Sequence, residues 1–411
     1  MADLKDRKGG EILFRGFEDI DLEKLWMILD ETYDKETTFR IQLKKLINSR
    51  WYDMFDYRYS EKPGNKLVAF YSDFYFREDH IKIFTDFIKE FPYIDYVVPV
   101  KLPRKRRNYR RGFEMLRWDL HSLWLLKNVR AAFRKRLYWI RILGLARLYC
   151  IKMNQYLNNK NYSYGLVYSD SNPYENMLVQ IMKKKLHTAT LQHGIFDRNG
   201  YWKGLEFRAS VADDWLAWNQ YSKELAMECG ISEDNIKVLG MPRYINPVKL
   251  EDRADTGVFS VILGGKVLFE ENRKLVEIAN LLAKEMRIKY YLRYHPTCKG
   301  DEYSDIIDGQ LIAKGHEGET IRQMCECSDF SLVGSGTSMM IDLIYLRHPF
   351  FQYYEKWDGK RMKGRENYFS SFESLKKQIK AKAISQNDEM FQYYCTTIDV
   401  KGSYHKYFNS I

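Results

Sequence analysis

Short apolar runs alternate with amphipathic stretches along most of this chain. Residues 66–72 (KLVAFYS) read as a buried strand before a helical pattern over 77–90, and 93–100 (YIDYVVPV) reads as a second strand. Residues 164–170 (YGLVYSD) lead into a helical pattern over 173–185, 188–194 (TATLQHG) is another strand, and 214–244 reads as strand, helix, glycine stop and strand. The second half repeats the plan: strand 257–265 before helix 270–286, strand 288–296, strand 309–315 before helix 318–327, and strand 329–336 before helix 338–346. Strands alternating with helices of this length imply parallel pairing with right-handed crossovers and both sheet faces covered. The pattern therefore predicts an α/β fold with two Rossmann-like domains whose parallel sheets face a central cleft. A polar, aperiodic stretch, NPVKLEDRADTG at 246–257, marks the linker. The expected domains are 1–247, 248–390 and an aromatic tail, 391–411, packing back on the first domain.

Composition narrows the class. With 411 residues and 45% hydrophobic content the chain can fill two ordinary cores. It has no run of eighteen apolar residues, and MADLKDRKGGEI at the N-terminus has no apolar core of a secretory signal. The expected location is the cytoplasm. Six cysteines are scattered without zinc spacing, so neither a disulfide framework nor a structural metal is expected.

The net charge of +11 invites anionic partners. Seven cations fall in the eleven residues of KLPRKRRNYRR (101–111), and more follow to Arg147 among Leu123, Trp124, Phe133, Trp139 and Ile142. A basic, aromatic, amphipathic segment over 101–147 suits an anionic membrane surface, placing the protein peripherally at the inner face of the cell membrane. Nucleic acid is not expected, because no recognition signature accompanies the cations.

Four chemical features recur at predicted strand ends, where ligands bind in parallel sheets. His193 ends a strand in LQHG; Gly265 and Lys266 follow the first strand of the second domain; Arg293 and His295 lie in RYHP; and Ser335, Gly336, Thr337 and Ser338 form a small-residue turn before a helix carrying Asp342. Backbone N–H groups, hydroxyls and a helix start at one point suit a phosphate, with Asp342 about 6 Å further along for a ribose hydroxyl. A plain helix cap fits the same turn. His193 is the candidate catalytic base, or else a strand-end histidine. Arg243, in GMPR, is either a hinge residue, a phosphate contact or a surface pair; Lys266 is either a phosphate contact or a solvated lysine; Asp170, with Glu175, is either an acceptor-side acid or a capping residue.

The ordered string SD…TLQHG, IKVLGMPRY, RYHP and SDF…GSGTSMMIDLIYLRHPFFQY, over residues 165–350, resembles the GT-B glycosyltransferases. It is most similar to their bacterial surface-polysaccharide branch, which includes CDP-glycerol and CDP-ribitol phosphotransferases and capsule glycosyltransferases. The resemblance implies a GT-B fold, His193 as base, and His295 with Ser335, Thr337 and Ser338 on the donor's phosphates. It further implies a nucleotide-activated donor of CMP, CDP or UDP type and a glycan or lipid-linked acceptor. Two motifs depart from that branch: Gln192 stands where a tryptophan precedes HG, and LGGK replaces a Pro-Thr-Trp-Arg string. No aspartate-x-aspartate motif is found, so neither a divalent metal nor a cofactor is expected. The leading expectation is a glycosyltransferase building a cell-surface polysaccharide; a CDP-polyol phosphotransferase and a UDP-sugar 2-epimerase are the alternatives.

Overall fold

The computed structural model describes residues 20–31, 38–62, 65–74, 76–125, 132–158, 160–194, 204–246, 256–295, 298, 300–313, 320–335, 337–355, 367–380, 388–397 and 399–411. Helices α1 (Leu22–Glu31) and α2 (Phe39–Trp51) lead into β1 (Tyr52–Ser60), β2 (Leu67–Phe70), α3 (Glu78–Lys89) and β3 (Ile94–Arg107). Then come α4 (Tyr109–Leu125), α5 (Phe133–Asn158), β4 (Tyr164–Val167), α6 (Pro173–Met182), β5 (His187–Leu191), α7 (Leu205–Arg208), β6 (Asp214–Ala217), α8 (Gln220–Glu228) and β7 (Ile236–Val238). The second half runs β8 (Val258–Ile262), α9 (Phe269–Met286), β9 (Lys289–Arg293), α10 (Ile321–Glu326), β10 (Ser331–Val333), α11 (Met339–Tyr345), β11 (Phe350–Tyr353), β12 (Tyr368–Phe369) and α12 (Phe372–Lys380). Two helices, α13 (Asp388–Tyr394) and α14 (Val400–Asn409), end the chain.

The first sheet has the order β1-β3-β2-β4-β5-β6-β7, and the second β12-β11-β10-β8-β9. All neighbours are parallel except β1, which runs antiparallel to β3. In each sheet the chain steps outward and then returns to the other side of its starting strand. From β2 it goes to β3 and back to β4; from β8 it goes to β9 and back to β10. The two strand-order reversals, β2/β4 and β8/β10, open the crevices where α/β sheets take ligands.

Local sequence explains the helix starts that flank these crevices. Asn172 caps α6, its side chain accepting from Tyr174 N and Glu175 N, with Pro173 at the first helical position. Thr320 and Gln323 form a reciprocal capping box on α10. One apolar core covers a face of the first sheet through Phe84, Phe87 and Phe91 with Tyr404 and Phe408 of α14, and continues into the second half through Ile262, Val333, Ile341 and Leu343. A second core covers the other face with Ile140 and Leu143 of α5 and Met177 and Leu178 of α6. Each fully buried side chain of this kind contributes roughly 1.5–3 kcal/mol. From α14, Tyr407 donates to Asp214 Oδ2 at 2.6 Å and Tyr404 to Gly240 O at 3.2 Å.

Two expectations change. None of the described residues 309–313 belongs to a strand: Ile312 makes one isolated bridge to Tyr290. Leu311, Ile312 and Ala313 are too short an apolar run to be covered on two faces. Residues 101–107, the basic start of the amphipathic segment, continue β3. In α5 the residues Leu137, Trp139, Ile140, Ile142 and Leu143 are buried in the protein core, so they do not face a lipid surface. Most of the linker stretch, 247–255, lies outside the described residues.

Candidate functional site

The loops after β2, β4 and β5 and those after β8, β9 and β10 meet between the sheets. After β5, Gln192 fixes the turn that carries His193: its Nε2 donates to Gly194 O at 2.6 Å and Ser222 Oγ at 2.8 Å, and its Oε1 accepts from Trp218 N at 2.7 Å. The residue that departs from the resembling family's tryptophan is thus a three-bond anchor for the histidine turn. His193 lies with its ring 6.1 Å from that of Tyr168, after β4, and Tyr168 in turn stands 5.5 Å from the His80 ring and 4.8 Å from that of Tyr71.

Electrostatics tie this group to the second sheet. Burial pushes the His193 imidazole down to about 3, with His80 and Arg77 adding to the shift. His80 is lowered to about 4 by burial, by Arg77 and by Arg243, with Asp79 opposing. Both rings are therefore neutral near pH 7. His295, two residues past β9, is lowered by burial and by the charge of Arg77 from the first sheet. Arg293 is lowered by burial, with Asp342 opposing and Arg243 adding to the shift. Arg77 thus acts on His80, His193 and His295, and Arg243 on His80 and Arg293, while Asp79 pairs with Arg77 and Asp342 with Arg243; the guanidinium groups of this setting suit a phosphate.

The sequence reading passed over Arg77, His80 and Tyr168. Their signal was available, since Arg77 and His80 lie just beyond the carboxyl end of β2 and Tyr168 just beyond β4, at the first sheet's strand-order reversal.

At the second reversal the β8 and β10 loops touch. A Cβ on Gly264 would lie 2.8 Å from Ser335 O, and one on Gly334 would lie 3.0 Å from Gly264 N. A Cβ at Gly264 would thus strike backbone and one at Gly334 would be tightly crowded, so glycine suits both positions. Gly265 precedes a short helical turn at Lys266–Leu268, and Lys266 pairs with Glu302 at 3.5 Å on the surface. Ser335 donates its hydroxyl to Glu271 of α9. Thr337 accepts from Met339 N at 3.3 Å, while Ser338 makes no side-chain cap. The Ser335 and Thr337 hydroxyls are therefore engaged within the fold in this conformation. Gly336 lies outside the described residues.

Two acids are placed differently from expectation. Asp342 does not present its carboxylate to a ribose: it is wholly buried, with Arg243 Nη1 2.9 Å from both carboxylate oxygens and Tyr244 donating to Oδ1 at 2.7 Å. Asp342 sits on a short helix whose inner face packs on the 242–244 turn, so its side chain points into the junction. Asp170 is likewise buried, and its Oδ2 accepts from Ser210 Oγ, Val211 N and Ala212 N at 2.8, 2.7 and 3.0 Å. It fastens the 210–212 loop rather than lining an acceptor surface. Arg243 pairs with the buried Asp342 while its own side chain stays 34% exposed.

A cavity of about 90 Å³, lined by residues such as Tyr57, Asp73, Tyr149 and Lys152, lies mainly among β1, α5 and the start of α6, with Asp73 of the loop after β2 reaching it. It is well below the roughly 300–1,000 Å³ of a pocket for a whole small-molecule ligand.

No family model and no curated protein matches the chain. Among solved structures it is similar to the UDP-GlcNAc 2-epimerase of Methanocaldococcus jannaschii, with a TM-score of 0.51 and 13% identity over 84% of this chain and 99% of that one. It is similar as well to the MnaA–UDP complex of S. aureus, with a TM-score of 0.52 and 11% identity over 84% of this chain and 98% of that one. At this identity the likeness is one of fold. The chain has the GT-B-type architecture of two Rossmann-like domains with parallel sheets about a cleft.

Proposed function

We propose that this protein is an enzyme that binds a UDP-type nucleotide sugar between its two sheets and breaks the bond between the sugar's anomeric carbon and the diphosphate. The observation that carries the reading is the nearness of Arg77 to the neutral His80 and His193 and to His295, with Arg243 acting on His80 and on Arg293. The UDP type is supported by the fold neighbours, one named for UDP-GlcNAc and one solved with UDP. When the carbon–oxygen bond breaks, its electron pair leaves with the diphosphate, and fixed guanidinium groups stabilise that charge without reorganising. The neutral imidazole at His193 accepts a proton in the same step once the negative charge of the bound diphosphate offsets the cation that helps hold its pKa down.

Two reactions share this cleavage. In 2-epimerisation the proton comes from C2 and is returned to the opposite face as the diphosphate oxygen re-forms its bond to C1; this is the continuation that the named neighbours favour. In transfer the proton comes from an acceptor hydroxyl that replaces the diphosphate, and one neutral base is sufficient. Transfer is supported by three acids among the described residues that are already engaged: Asp342 and Asp170 are buried and bonded, and Asp79 is paired with Arg77.

The test is to incubate the full chain with UDP-GlcNAc and follow proton and phosphorus NMR. A new C2 epimer without net UDP release establishes epimerisation. UDP accumulating only when a glycan or lipid-linked acceptor is added establishes transfer. Calorimetry with UDP, CDP and CMP runs in parallel. Selective binding of CDP would replace the UDP reading with a polyol-phosphate one, and binding of none of the three would overturn the nucleotide site.

A further inference from the structure

Exposed apolar side chains are not scattered over this protein. Of the sixteen large ones standing out to solvent among the described residues, nine belong to α2, α4 and the first residue of α5. On α2, Phe39, Leu43 and Ile47 recur every four residues and so form one stripe. On α4, Phe113, Leu116 and Leu120 form another, with Phe113 and Leu120 64% and 60% exposed.

The stripes belong to one surface. The Phe39 ring stacks on that of Phe133 at 5.8 Å, and the Trp51 ring at the far end of α2 meets Phe113 edge-on at 5.1 Å. Neither helix can turn its stripe inward, because the opposite sides are committed. Arg50 of α2 is buried and grips Asp119 of α4 through Nε at 2.6 Å and Nη2 at 2.9 Å, while Nη2 donates to Ile140 O of α5 at 3.0 Å. At Gly112 of α4 a Cβ would fall 2.3 Å from the Trp51 ring, so the two helices are in close contact there.

The rim of this surface is cationic. Arg40, Lys44 and Lys45 are exposed on α2, which contains no acidic residue, and Arg117 and Arg134 are exposed on α4 and α5. Glu114, the exposed acid on the described part of α4, lies 3.4 Å from Arg110. A contiguous apolar face is a place of docking, and a cationic rim selects an anionic partner. Leu, Ile and Phe stripes have no hydrogen bond to give a nucleic-acid base, whereas they enter the acyl boundary of a bilayer while the cations meet its phosphates. No described helix is long and apolar enough to cross a membrane.

We infer that the face formed by α2, α4 and the start of α5 docks on an anionic lipid surface, with the two apolar stripes inserted and the α2 cations at the headgroups. The inference stands apart from the reaction proposed above. Flotation of the full chain with vesicles of phosphatidylcholine, with and without phosphatidylglycerol, tests it. The wild type should float with the anionic vesicles and not with phosphatidylcholine alone. Leu43→Glu/Ile47→Glu and Leu116→Glu/Leu120→Glu should each lower partition by roughly tenfold or more. Arg40→Gln/Lys44→Gln/Lys45→Gln should weaken it and flatten its salt dependence. All these positions are exposed, and an unchanged circular-dichroism melt shows that the variants fold. A wild type that stays in solution, or stripe variants that float as it does, overturns the inference. A dimer by light scattering that these variants dissociate, without vesicle binding, overturns it too and makes the face a protein interface. No nucleotide is needed, so failure here is separate from failure of the proposed reaction.

Discussion

At the scale of single residues, the informative group is an imidazole that behaves unlike a free one. Histidine ordinarily titrates near neutrality, which first marked His193 as a base. Its surroundings lower it to about 3 through burial, His80 and Arg77. The sign is definite: a depressed folded pKa means that acid favours the unfolded state between about 6.5 and 3. Proton uptake by this group therefore costs stability as pH falls through that window. For catalysis the outcome is a base available well below pH 6.5. The expected pH profile of kcat/KM, which reports the free enzyme, has no acidic limb near 6.5 from this residue, and His193→Ala should cost roughly 10²–10⁴ in kcat with UDP affinity kept. An acidic limb near 6.5 that vanishes in His193→Ala would instead assign an ordinary imidazole. The HG turn made His193 visible in the sequence. The shift was not visible, since Tyr168, His80 and Arg77 come from distant segments that only the folded sheet brings together.

At the scale of elements, Glu175 joins the ends of two strands. From the first turn of α6 it accepts from Ser72 N, after β2, and Ser169 N, after β4, both at 2.6 Å, and from Asn172 Nδ2 at 2.9 Å. It thereby closes the strand-order reversal under Tyr168. Burial raises its carboxyl to about 8, the hydrogen bonds opposing. With the folded pKa above the unfolded one, the folded state holds the proton more tightly between about 4.5 and 8. The contribution is complete below that window and is lost as pH rises through it, at up to about 1.4 kcal/mol per pH unit. From pH 7 to 8, above the His193 window, Glu175 should make the melting temperature fall. In Glu175→Gln that fall should be absent from thermal scans at the two pH values, and equal slopes in both proteins would contradict the assignment. The strands here were legible as apolar runs; the acid beneath them was not, because sequence shows a helix's first turn and not what it faces. β1 was missed for a different reason. An antiparallel edge strand alternates, and Phe55-Asp56-Tyr57-Arg58-Tyr59 carries that period-two pattern without a continuous apolar run.

At the scale of the whole molecule, the two sheets meet at a junction that governs Arg243. Tyr244 stacks on Tyr345 with centroids 4.2 Å apart and planes at 9°, Tyr345 donates to Cys395 O at 3.0 Å, and Tyr244 and Arg243 both hold the buried Asp342 carboxylate. Alternating strands and helices made the two-sheet plan legible. The direction of Asp342 was not, because a helix position seven residues from Ser335 is compatible with facing a ligand or a neighbouring turn. The structure gives the two partners opposite tasks, and their variants should part accordingly. Arg243→Ala leaves a buried carboxylate without its counter-ion, at a cost of about 3 kcal/mol at the lower end for breaking such a pair. It also takes a cation from the cleft, so both thermal stability and UDP affinity should fall. Asp342→Asn should lower stability as well, since it weakens the grip on Arg243. Yet it frees the guanidinium to turn toward a diphosphate, so UDP affinity should hold or rise. Calorimetry and thermal scans on the two variants decide between the junction and a ribose contact: if Asp342→Asn weakens UDP as much as Arg243→Ala does, the carboxylate reaches the nucleotide after all, and the cleft must open at this junction to let it.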